Sequence, residues 1–374
     1  MVLLLNTVLV LDGQLICPII ILLLRISCLK ILLDAENSSS ILFINAWRWL
    51  LIYLFQYDYV KMSSTRGQSA WFTKYRKSSE TKRNAFFSLF TKSPDPYDDF
   101  SKWIVGVVDG DGTFYFNKTK KGYWTFCFKI SQSKYNMQML NYIKSMLQVG
   151  TINTSQVNIA EYSIQNIDHI IKYILPIFDK YSLLTKKEFS YNQFREAILI
   201  YKDISLSHSN KDYLITNIKK KIMPTNYVSS VWKNTHNLTL PIVNTIMSKQ
   251  WLIGFTEAKG SFYLVKKDSK QIIQIFEIIQ KHDKIVLEAI AKILSMKVSN
   301  KKTYSTCIST SKENIQGIIQ YFSNTMKGVK SLEFKLWSRS FTKRLSYSQL
   351  EDLRIKINKI QNKHKDINSL FNIW

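Results

Sequence analysis

The sequence predicts an α+β protein in which one chain contains two similar modules. The first observation is a repeat, because a 14-residue segment that begins at Trp103 occurs again, in altered form, from Trp251. The second is that the same order of alternating and helical segments follows each copy, which is typical of a duplicated module. The 374 residues are enough for two such modules and additional segments.

Each copy of the repeat predicts a buried helix that ends at an acidic turn and continues as a strand. The copies read WIVGVVDGDGTFYF over residues 103–116 and WLIGFTEAKGSFYL over residues 251–264, with five of the fourteen positions identical. Apolar residues surround Gly106, so its helix is expected to be buried. A glycine inside a helix costs about 1 kcal/mol relative to alanine, which is tolerable where a second helix comes close. We therefore expect the helices around Gly106 and Gly254 to pack together.

The two copies resemble the LAGLIDADG motif of homing endonucleases and intron maturases, on the segments IVGVVDGDG and LIGFTEAKG. The resemblance covers residues 98–341. It implies two αββαββα halves that pack through the motif helices, with saddle-shaped antiparallel sheets that straddle a nucleic-acid duplex. In that family the eighth motif position is the metal-binding acid, which corresponds to Asp111 in the first copy and to Lys259 in the second. The sixth position, here Asp109 and Glu257, supports the helix interface.

The lysine in the second copy changes the chemistry that the resemblance implies. Two-metal cleavage of a phosphodiester requires carboxylates that hold Mg²⁺, and Asp111 qualifies as a metal ligand whereas Lys259 repels a cation. Two unit charges about 4 Å apart interact by about 4 kcal/mol at an effective dielectric constant near 20. Two arrangements remain open: Lys259 pairs with Asp111 and closes the metal site, or it swings to the surface and leaves a site with one acid. We expect a Mg²⁺ cofactor only if endonuclease activity persists.

The family also uses a lysine near the start of the last helix of each half, to activate water or to stabilise charge. The resemblance assigns this latent catalytic position to Lys186 in the first half. In the second half the alignment places Val329 there. This is a second indication of an incomplete cleavage centre.

The patterning after each motif predicts the remaining elements of both modules. In the first module we expect strands at residues 113–120, 123–133, 150–155 and 159–165, and helices at residues 135–147, 168–181 and 187–201. In the second module we expect strands at residues 260–267, 271–279, 298–304 and 306–311, and helices at residues 284–294, 315–326 and 332–341. One chain that contains both modules predicts a monomer that imitates a dimer.

The charge of the chain favours a polyanionic partner. The formal net charge is +25, and residues 1–60 contain three basic and four acidic side chains, so residues 61–374 carry a net charge of +26. Such an excess is typical of nucleic-acid-binding proteins. We expect phosphate contacts from the hairpin lysines, namely Lys118, Lys120, Lys129, Lys266, Lys267 and Lys270. The four cysteines and five histidines show no spacing of a zinc site, a disulfide framework or a catalytic triad.

Composition divides the chain into six segments. These are an apolar leader (1–60), a basic linker (61–97), the first module (98–204), a polar connector (205–248), the second module (249–345) and a basic helical tail (346–374). The leader has apolar runs but no uninterrupted span of about 20 residues, and it lacks the composition of a mitochondrial transit peptide. The resemblance implies an intron-encoded leader, translated in continuity with an upstream membrane-protein exon, that is membrane-associated or poorly ordered; the alternative is a packed accessory element.

The resemblance leads to alternative functions. The first is an mRNA maturase that binds a mitochondrial group I intron, its own in a cytochrome b or cytochrome oxidase transcript, and promotes its splicing; this role requires the scaffold and the charge but no second acid. The alternative is a site-specific endonuclease that cleaves double-stranded DNA and mediates intron homing, which Asp111 favours and Lys259 opposes. A regulatory DNA-binding protein on the same scaffold is a third hypothesis. The expected location is the mitochondrion.

Overall fold

The computed structural model describes residues 95–154, 158–233, 235 and 237–371, with side chains up to residue 363. The expected leader (residues 1–60) and almost all of the expected basic linker lie outside the described residues. Among the helices of the described part, none is long and apolar enough to cross a membrane.

The first half has the expected αββαββα order, followed by the helix that was expected at residues 187–201. It contains α1 (Pro96–Asp111), β1 (Gly112–Lys118), β2 (Trp124–Ser133), α2 (Met137–Leu147), β3 (Thr151–Asn153), β4 (Ile159–Ile164), the helical segment α3 (Ile167–His169, Ile170–Ile174 and Leu175–Lys180) and α4 (Lys187–Lys202). The four strands form an antiparallel sheet in the order β1-β2-β4-β3. Strand β1 is therefore an edge of this sheet.

The connector between the halves is folded rather than extended. It contains α5 (His208–Lys220), a single turn at Ser230–Trp232 and α6 (Leu240–Ile246). Trp232 is buried, and its indole N–H donates a hydrogen bond to the carbonyl oxygen of Leu184 at 2.8 Å. This segment therefore packs on the first half beside the loop that precedes α4.

The second half repeats the first. It contains α7 (Lys249–Lys259), β5 (Gly260–Lys266), β6 (Ile272–Gln280), α8 (Lys284–Leu294), β7 (Lys297–Asn300), β8 (Ser305–Ser309), α9 (Lys312–Phe322), α10 (Lys330–Thr342) and an added helix, α11 (Tyr347–Phe371). The antiparallel sheet has the order β5-β6-β8-β7, so the strand that follows the motif is again an edge. The predicted fold class of two similar α+β modules is confirmed.

The motif helices α1 and α7 begin at side-chain caps and pack against each other. Asp95 accepts a hydrogen bond from the backbone N–H of Tyr97 at the start of α1, and Ser248 does the same for Trp251 at the start of α7. A Cβ atom on Gly106 would overlap the carbonyl oxygen of Trp251. The two backbones therefore touch where the sequence has glycine, as expected.

Aromatic side chains fill the space between each sheet and its helices. In the first half Phe114 on β1 contacts Phe178 and Phe194, at centroid distances of 5.1 and 5.5 Å. In the second half the equivalent Phe262 contacts Trp337 at 5.1 Å. Each sheet thus buries one face under its helices and leaves the other face open. The open faces and the touching ends of α1 and α7 are the surfaces available for function.

Candidate functional site

Asp111 and Lys259, the last residues of the two motif helices, form an ion pair. The Nζ atom of Lys259 lies 2.9 Å from Oδ1 of Asp111. The other carboxylate oxygen, Oδ2, accepts a hydrogen bond from Nε2 of Gln132 at 2.6 Å. The charge of Asp111 raises the pKa of Lys259, so the lysine is an ammonium ion at neutral pH. Of the two arrangements that the sequence left open, the structure has the paired one.

The donor set at this centre does not fit a divalent cation. It offers one carboxylate, and both oxygens of that carboxylate are already bound by an ammonium and an amide N–H. Mg²⁺ requires several oxygen ligands in near-octahedral geometry, whereas an ammonium repels it. Within residues 95–154, 158–233, 235 and 237–371, no cluster of three or more His, Cys, Asp or Glu side chains is arranged to hold a metal.

A second ammonium group lies beside the ion pair. Lys187, the first residue of α4, donates hydrogen bonds to the carbonyl oxygens of Val108, Gly110 and Gly112 at 2.9, 2.9 and 2.7 Å. These carbonyls belong to the end of α1, where intrahelical partners are missing and positive charge is favoured. Burial, and then repulsion by Lys259, lowers the pKa of Lys187 to about 8. All three protons of the Lys187 ammonium group donate hydrogen bonds, so Lys187 caps the C-terminal end of the motif helix α1.

The side chain of Lys186, the predicted catalytic lysine, points away from the ion pair of Asp111 and Lys259. Its Nζ donates to the carbonyl oxygen of Thr225 in the connector at 3.1 Å. Its backbone N–H donates to Oδ1 of Asp283, at the start of α8, at 2.9 Å. The lysine that reaches the end of the motif helix is Lys187, one residue later than expected. The catalytic role of Lys186 stays a prediction.

The same shift of the lysine by one residue is found in the second half. Asp109 accepts the backbone N–H groups of Leu184 and Thr185, and Glu257 accepts those of Lys327 and Gly328. The equivalent contacts align Lys187 with Lys330 and Lys186 with Val329. This agrees with the alignment made from sequence, in which Val329 corresponds to Lys186. One position later, a lysine starts the last module helix in both halves. Lys330 pairs with Glu333 at 3.1 Å instead of meeting the carbonyls at the end of its motif helix.

The acids at the sixth motif position are buried supports of the interface. Oδ1 of Asp109 accepts hydrogen bonds from the backbone N–H and hydroxyl of Thr185, while Oδ2 accepts those of the Leu184 backbone and the Trp251 indole. Burial raises the pKa of Asp109 to about 6, although these donors oppose the rise. Burial also raises the pKa of Glu257 to about 7. Because Trp251 belongs to α7, Asp109 joins the two halves directly.

Two further side chains cross between the halves in matching positions. Asn136, which precedes α2, accepts the backbone N–H of Val329 at 2.9 Å, and Asp283, which precedes α8, accepts that of Lys186 at the same distance. Asn136 also donates to Oε1 of Gln132 at 2.9 Å, which orients the Gln132 amide toward Asp111. Gln132 was not among the site residues expected from the sequence. The available signal was its place at the end of β2, the strand that pairs with the one following the motif.

Three of the six lysines expected to contact phosphates are held in ion pairs. Lys118 pairs with Asp212, Lys129 with Glu161 and Lys266 with Glu351, at 2.6, 2.9 and 3.1 Å. The other three, Lys120, Lys267 and Lys270, are exposed at the turns of the hairpins. The positive charge available on the two hairpins is therefore smaller than the sequence suggested.

The open faces of the two sheets differ in chemistry. In the first sheet six open-face positions are Asn117, Thr125, Cys127, Lys129, Ser131 and Ser163; by strand register the equivalent residues in the second sheet are Val265, Ile273, Ile275, Glu277, Ile279 and Ile308. Five aliphatic side chains thus replace small or polar ones, and an acid replaces a lysine. The carboxylate of Glu277 accepts hydrogen bonds from Tyr263 and Thr306, both at 2.7 Å.

Comparison with known proteins places the chain in a family. The LAGLIDADG endonuclease model matches residues 104–198 and 252–341, segments that begin at the two motif copies. A probable intron-encoded endonuclease of Schizosaccharomyces pombe, Cox1-I1b, is 37% identical over 292 residues, which cover 74% of this chain and 73% of that protein. The chain belongs to the LAGLIDADG endonuclease family. Asp111 and Lys259 are therefore the residues at the two positions where the resemblance expects metal-binding acids.

Other relatives are similar to parts of the chain, and a solved structure shares its fold. The probable intron-encoded endonuclease 4 of Neurospora crassa is 27% identical over 253 residues, covering 65% of this chain and 40% of that protein. The uncharacterized mitochondrial protein RF1 of Saccharomyces cerevisiae is 33% identical over 165 residues, covering 44% of this chain and 32% of that protein. The structure of the meganuclease I-SmaMI bound to DNA has a TM-score of 0.58 and 22% identity, and covers 71% of this chain and 98% of that one.

Proposed function

We propose that this LAGLIDADG protein is a mitochondrial mRNA maturase that binds a group I intron and promotes its splicing without cleaving DNA. The intron would be its own, in a cytochrome b or cytochrome oxidase transcript. The observation that supports the loss of cleavage is the ion pair between Lys259 and Asp111. In this proposal Mg²⁺ has no role at the former metal centre.

The electrostatics of the centre oppose hydrolysis of nucleic acid. A cation entering beside Asp111 would have to break the ion pair and approach a second ammonium group, that of Lys187, which hydrogen-bonds the adjacent carbonyls. At a separation of about 4 Å, each such repulsion amounts to a few kcal/mol in a partly buried site. The centre therefore disfavours the divalent cation that hydrolysis requires.

Other observations support an intron RNA as the partner. The scaffold is intact in both halves, and residues 61–374 carry a net charge of +26 that suits phosphate contacts. Relatives from Schizosaccharomyces pombe and Neurospora crassa are named as intron-encoded, and the Saccharomyces cerevisiae relative is named as mitochondrial. A folded intron is recognised through shape and phosphates, which requires no catalytic metal at this centre.

A site-specific DNA homing endonuclease is the second candidate. The relatives are named as probable endonucleases, and the solved neighbours include the nucleases I-SmaMI and I-GzeII in complex with DNA. Asp111 is also retained. This candidate requires Lys259 to leave Asp111 when DNA and metal bind.

The test is a splicing assay with the purified full chain. Transcripts that contain mitochondrial group I introns are followed with and without protein, and cleavage of the matching intronless DNA is measured in parallel. We expect faster splicing and no DNA breaks. Specific double-strand cleavage by the wild-type protein, with no effect on splicing, would refute the maturase proposal and establish the second candidate.

A matched set of variants isolates the role of Lys259. Lys259→Asp restores two facing acids and is expected to gain magnesium-dependent cleavage of the DNA target. Adding Asp111→Asn to that variant should abolish the gain. Lys292→Asp, an exposed change on α8, makes the same charge change elsewhere and should have no effect. If Lys259→Asp folds, binds DNA and never cleaves it, the loss of one ligand is not the explanation.

A further inference from the structure

The open face of the second sheet is less polar than that of the first at the six matched positions. It presents aliphatic groups and Glu277 in place of the polar groups and Lys129 of the first sheet. Ile279 there is 47% exposed. Contacts to phosphates require cations, hydroxyls or N–H donors, and base edges are read mainly by hydrogen bonds. The exposed cations of this sheet include Lys297, opposite Ile308, and the hairpin residues Lys267 and Lys270. An added element could therefore supply further positive charge beside the aliphatic positions.

The added helix α11 lies along the edge of that sheet. Near its start Glu351 pairs with Lys266, at the hairpin end of β5, at 3.1 Å. Ten residues later the side-chain amide of Gln361 donates to the carbonyl oxygen of Phe262 at 2.9 Å. Because Phe262 lies three residues beyond the end of the motif helix α7, α11 runs from the hairpin end of β5 toward its motif end.

The last described turn of α11 reaches the first half. Nζ of Lys363 lies 5.1 Å from the centroid of the Tyr135 ring, within the range of a cation–π contact. Tyr135 follows Gln132, the residue that hydrogen-bonds Asp111, by three positions. Helix α11 therefore extends from the second hairpin to Tyr135 of the first half.

The outward face of α11 has the composition of a nucleic-acid contact. Its residues recur at intervals of three and four, which places them on one side of a helix: Ile355, Asn358, Lys359, Asn362 and Lys363. Lys356 is exposed on the flank of the same side. The opposite side packs on the second half through Leu353 and Ile357, which are buried. Among the described side chains, neither Lys356 nor Lys359 makes an ion pair within 4 Å.

We propose that Lys356, Lys359 and Lys363 on α11 bind the phosphate backbone of the nucleic acid that the protein holds. The added helix thereby supplies phosphate contacts beside the part of the second sheet that is aliphatic. The three ammonium groups follow one another at intervals of about one helical turn, or 5.4 Å, along the edge of β5. The inference rests on the proposed function only in that the partner is a nucleic acid; an RNA strand and a DNA strand share the phosphate chemistry.

The experiment measures binding of the full chain to a group I intron RNA and, separately, to a short DNA duplex. The variant Lys356→Gln/Lys359→Gln/Lys363→Gln removes three charges and keeps residues that favour helix. The control Lys144→Gln/Lys292→Gln/Lys312→Gln removes three exposed charges from the helices that cover the other side of the sheets. Urea unfolding establishes that all three proteins are folded. Affinity is measured from about 50 to about 200 mM KCl.

We expect the α11 variant to bind at least about tenfold more weakly, with a salt dependence reduced by about two phosphate contacts. The control variant should stay within about threefold of the wild type, because non-contacting charges act only through the screened field. Equal losses in both variants would show that only net charge matters and would overturn the inference. Wild-type affinity in the α11 variant would overturn it as well, and would leave the maturase proposal intact.

The two probes separate this inference from the proposed function. Loss of affinity for the RNA supports both. Loss of affinity for the duplex, when the wild-type protein does not bind the RNA, supports the role of α11 and refutes the maturase. Absence of binding to either probe by the wild-type protein refutes both.

Discussion

The two halves of the molecule have the same scaffold and differ where they face a ligand. Gly106 and Gly254 each admit the backbone of the other motif helix, and Asp109 and Glu257 each accept backbone N–H groups before the last helix of their own module. By contrast, Lys259 occupies in the second half the position that Asp111 occupies in the first, and five small or polar open-face positions of the first sheet are aliphatic in the second. A glycine that touches a backbone, or an acid buried among backbone N–H groups, cannot change alone, because close packing leaves no space for a different side chain. A residue that faces a ligand is free of this constraint once the ligand changes.

The largest expected effect is at the glycines of the helix pair. Gly106→Ala and Gly254→Ala should each destabilise the protein by more than about 3 kcal/mol, because a methyl group would overlap a backbone carbonyl that cannot move independently. The control is Gly317→Ala in α9, where a Cβ would meet no atom within 4 Å. That change should stabilise the helix by about 0.5–1 kcal/mol. Urea unfolding measures all three; equal effects would contradict close contact of the motif helices.

Replacement of the buried acids comes next. Glu257→Gln places an amide N–H₂ group opposite a backbone N–H donor and should cost about 2–3 kcal/mol at neutral pH. Asp109→Asn should cost more, because Asp109 accepts four hydrogen bonds. Glu313→Gln, an exposed change in α9, is the control and should have no effect.

The same glutamate predicts a pH dependence of stability. Burial raises the pKa of Glu257 from 4.5 to about 7. The folded state then binds the proton more tightly than the unfolded chain, so this contribution to stability is complete below about pH 4.5 and is lost as the pH rises through 7. The free energy of unfolding of the wild type should fall by up to about 1.4 kcal/mol per pH unit in this window from this residue. In Glu257→Gln that part of the slope should disappear; an unchanged slope would assign the pH dependence to other groups.

A smaller effect distinguishes Lys187 from Lys186. Lys187→Met leaves three carbonyl oxygens at the end of α1 without their donor and should destabilise the protein by about 1–3 kcal/mol, less whatever is gained by relief of the repulsion from Lys259. Lys186→Met removes one exposed hydrogen bond to the connector and should change stability by less than about 0.5 kcal/mol. If Lys186→Met lowered the stability more than Lys187→Met in thermal or urea unfolding, Lys186 would be the lysine that contacts the end of α1.

The smallest effect is expected on the open faces, and it concerns binding rather than stability. Thr125→Ile, which copies the second sheet into the first, should weaken nucleic-acid binding by about fivefold, because a hydroxyl contact corresponds to about 1 kcal/mol. Ile273→Thr, the reciprocal change, should leave affinity within about twofold, because the second face is not expected to contact the ligand through hydrogen bonds. Filter binding with the same intron RNA compares them. Equal losses would show that both sheets contact the ligand in the same way.

The sequence predicted the repeated fold well because its signals are local and strong. The glycine within each apolar helix and the alternation after it specify a helix pair and hairpins without reference to distant residues. Side-chain contacts between segments far apart in the sequence were harder to predict. The sequence does not distinguish the adjacent Lys186 and Lys187. Which of them reaches α1 depends on the hydrogen bonds from the backbone N–H groups of Leu184 and Thr185 to Asp109, because these bonds set the position of the start of α4. Likewise the ion pairs of Lys118 and Lys266 depend on partners 94 and 85 residues away, which no periodicity indicates.

The most direct test of the central claim is the binding of Mn²⁺ by the wild-type protein, Lys259→Asp and Lys259→Asp/Asp111→Asn, followed by electron paramagnetic resonance. Mn²⁺ accepts the same oxygen ligands as Mg²⁺ and is visible in the spectrum. If Lys259 closes the metal centre, the wild type binds no Mn²⁺ there, Lys259→Asp gains a site, and the added Asp111→Asn change removes it. Mn²⁺ binding by the wild type that disappears in the single variant Asp111→Asn would contradict the account.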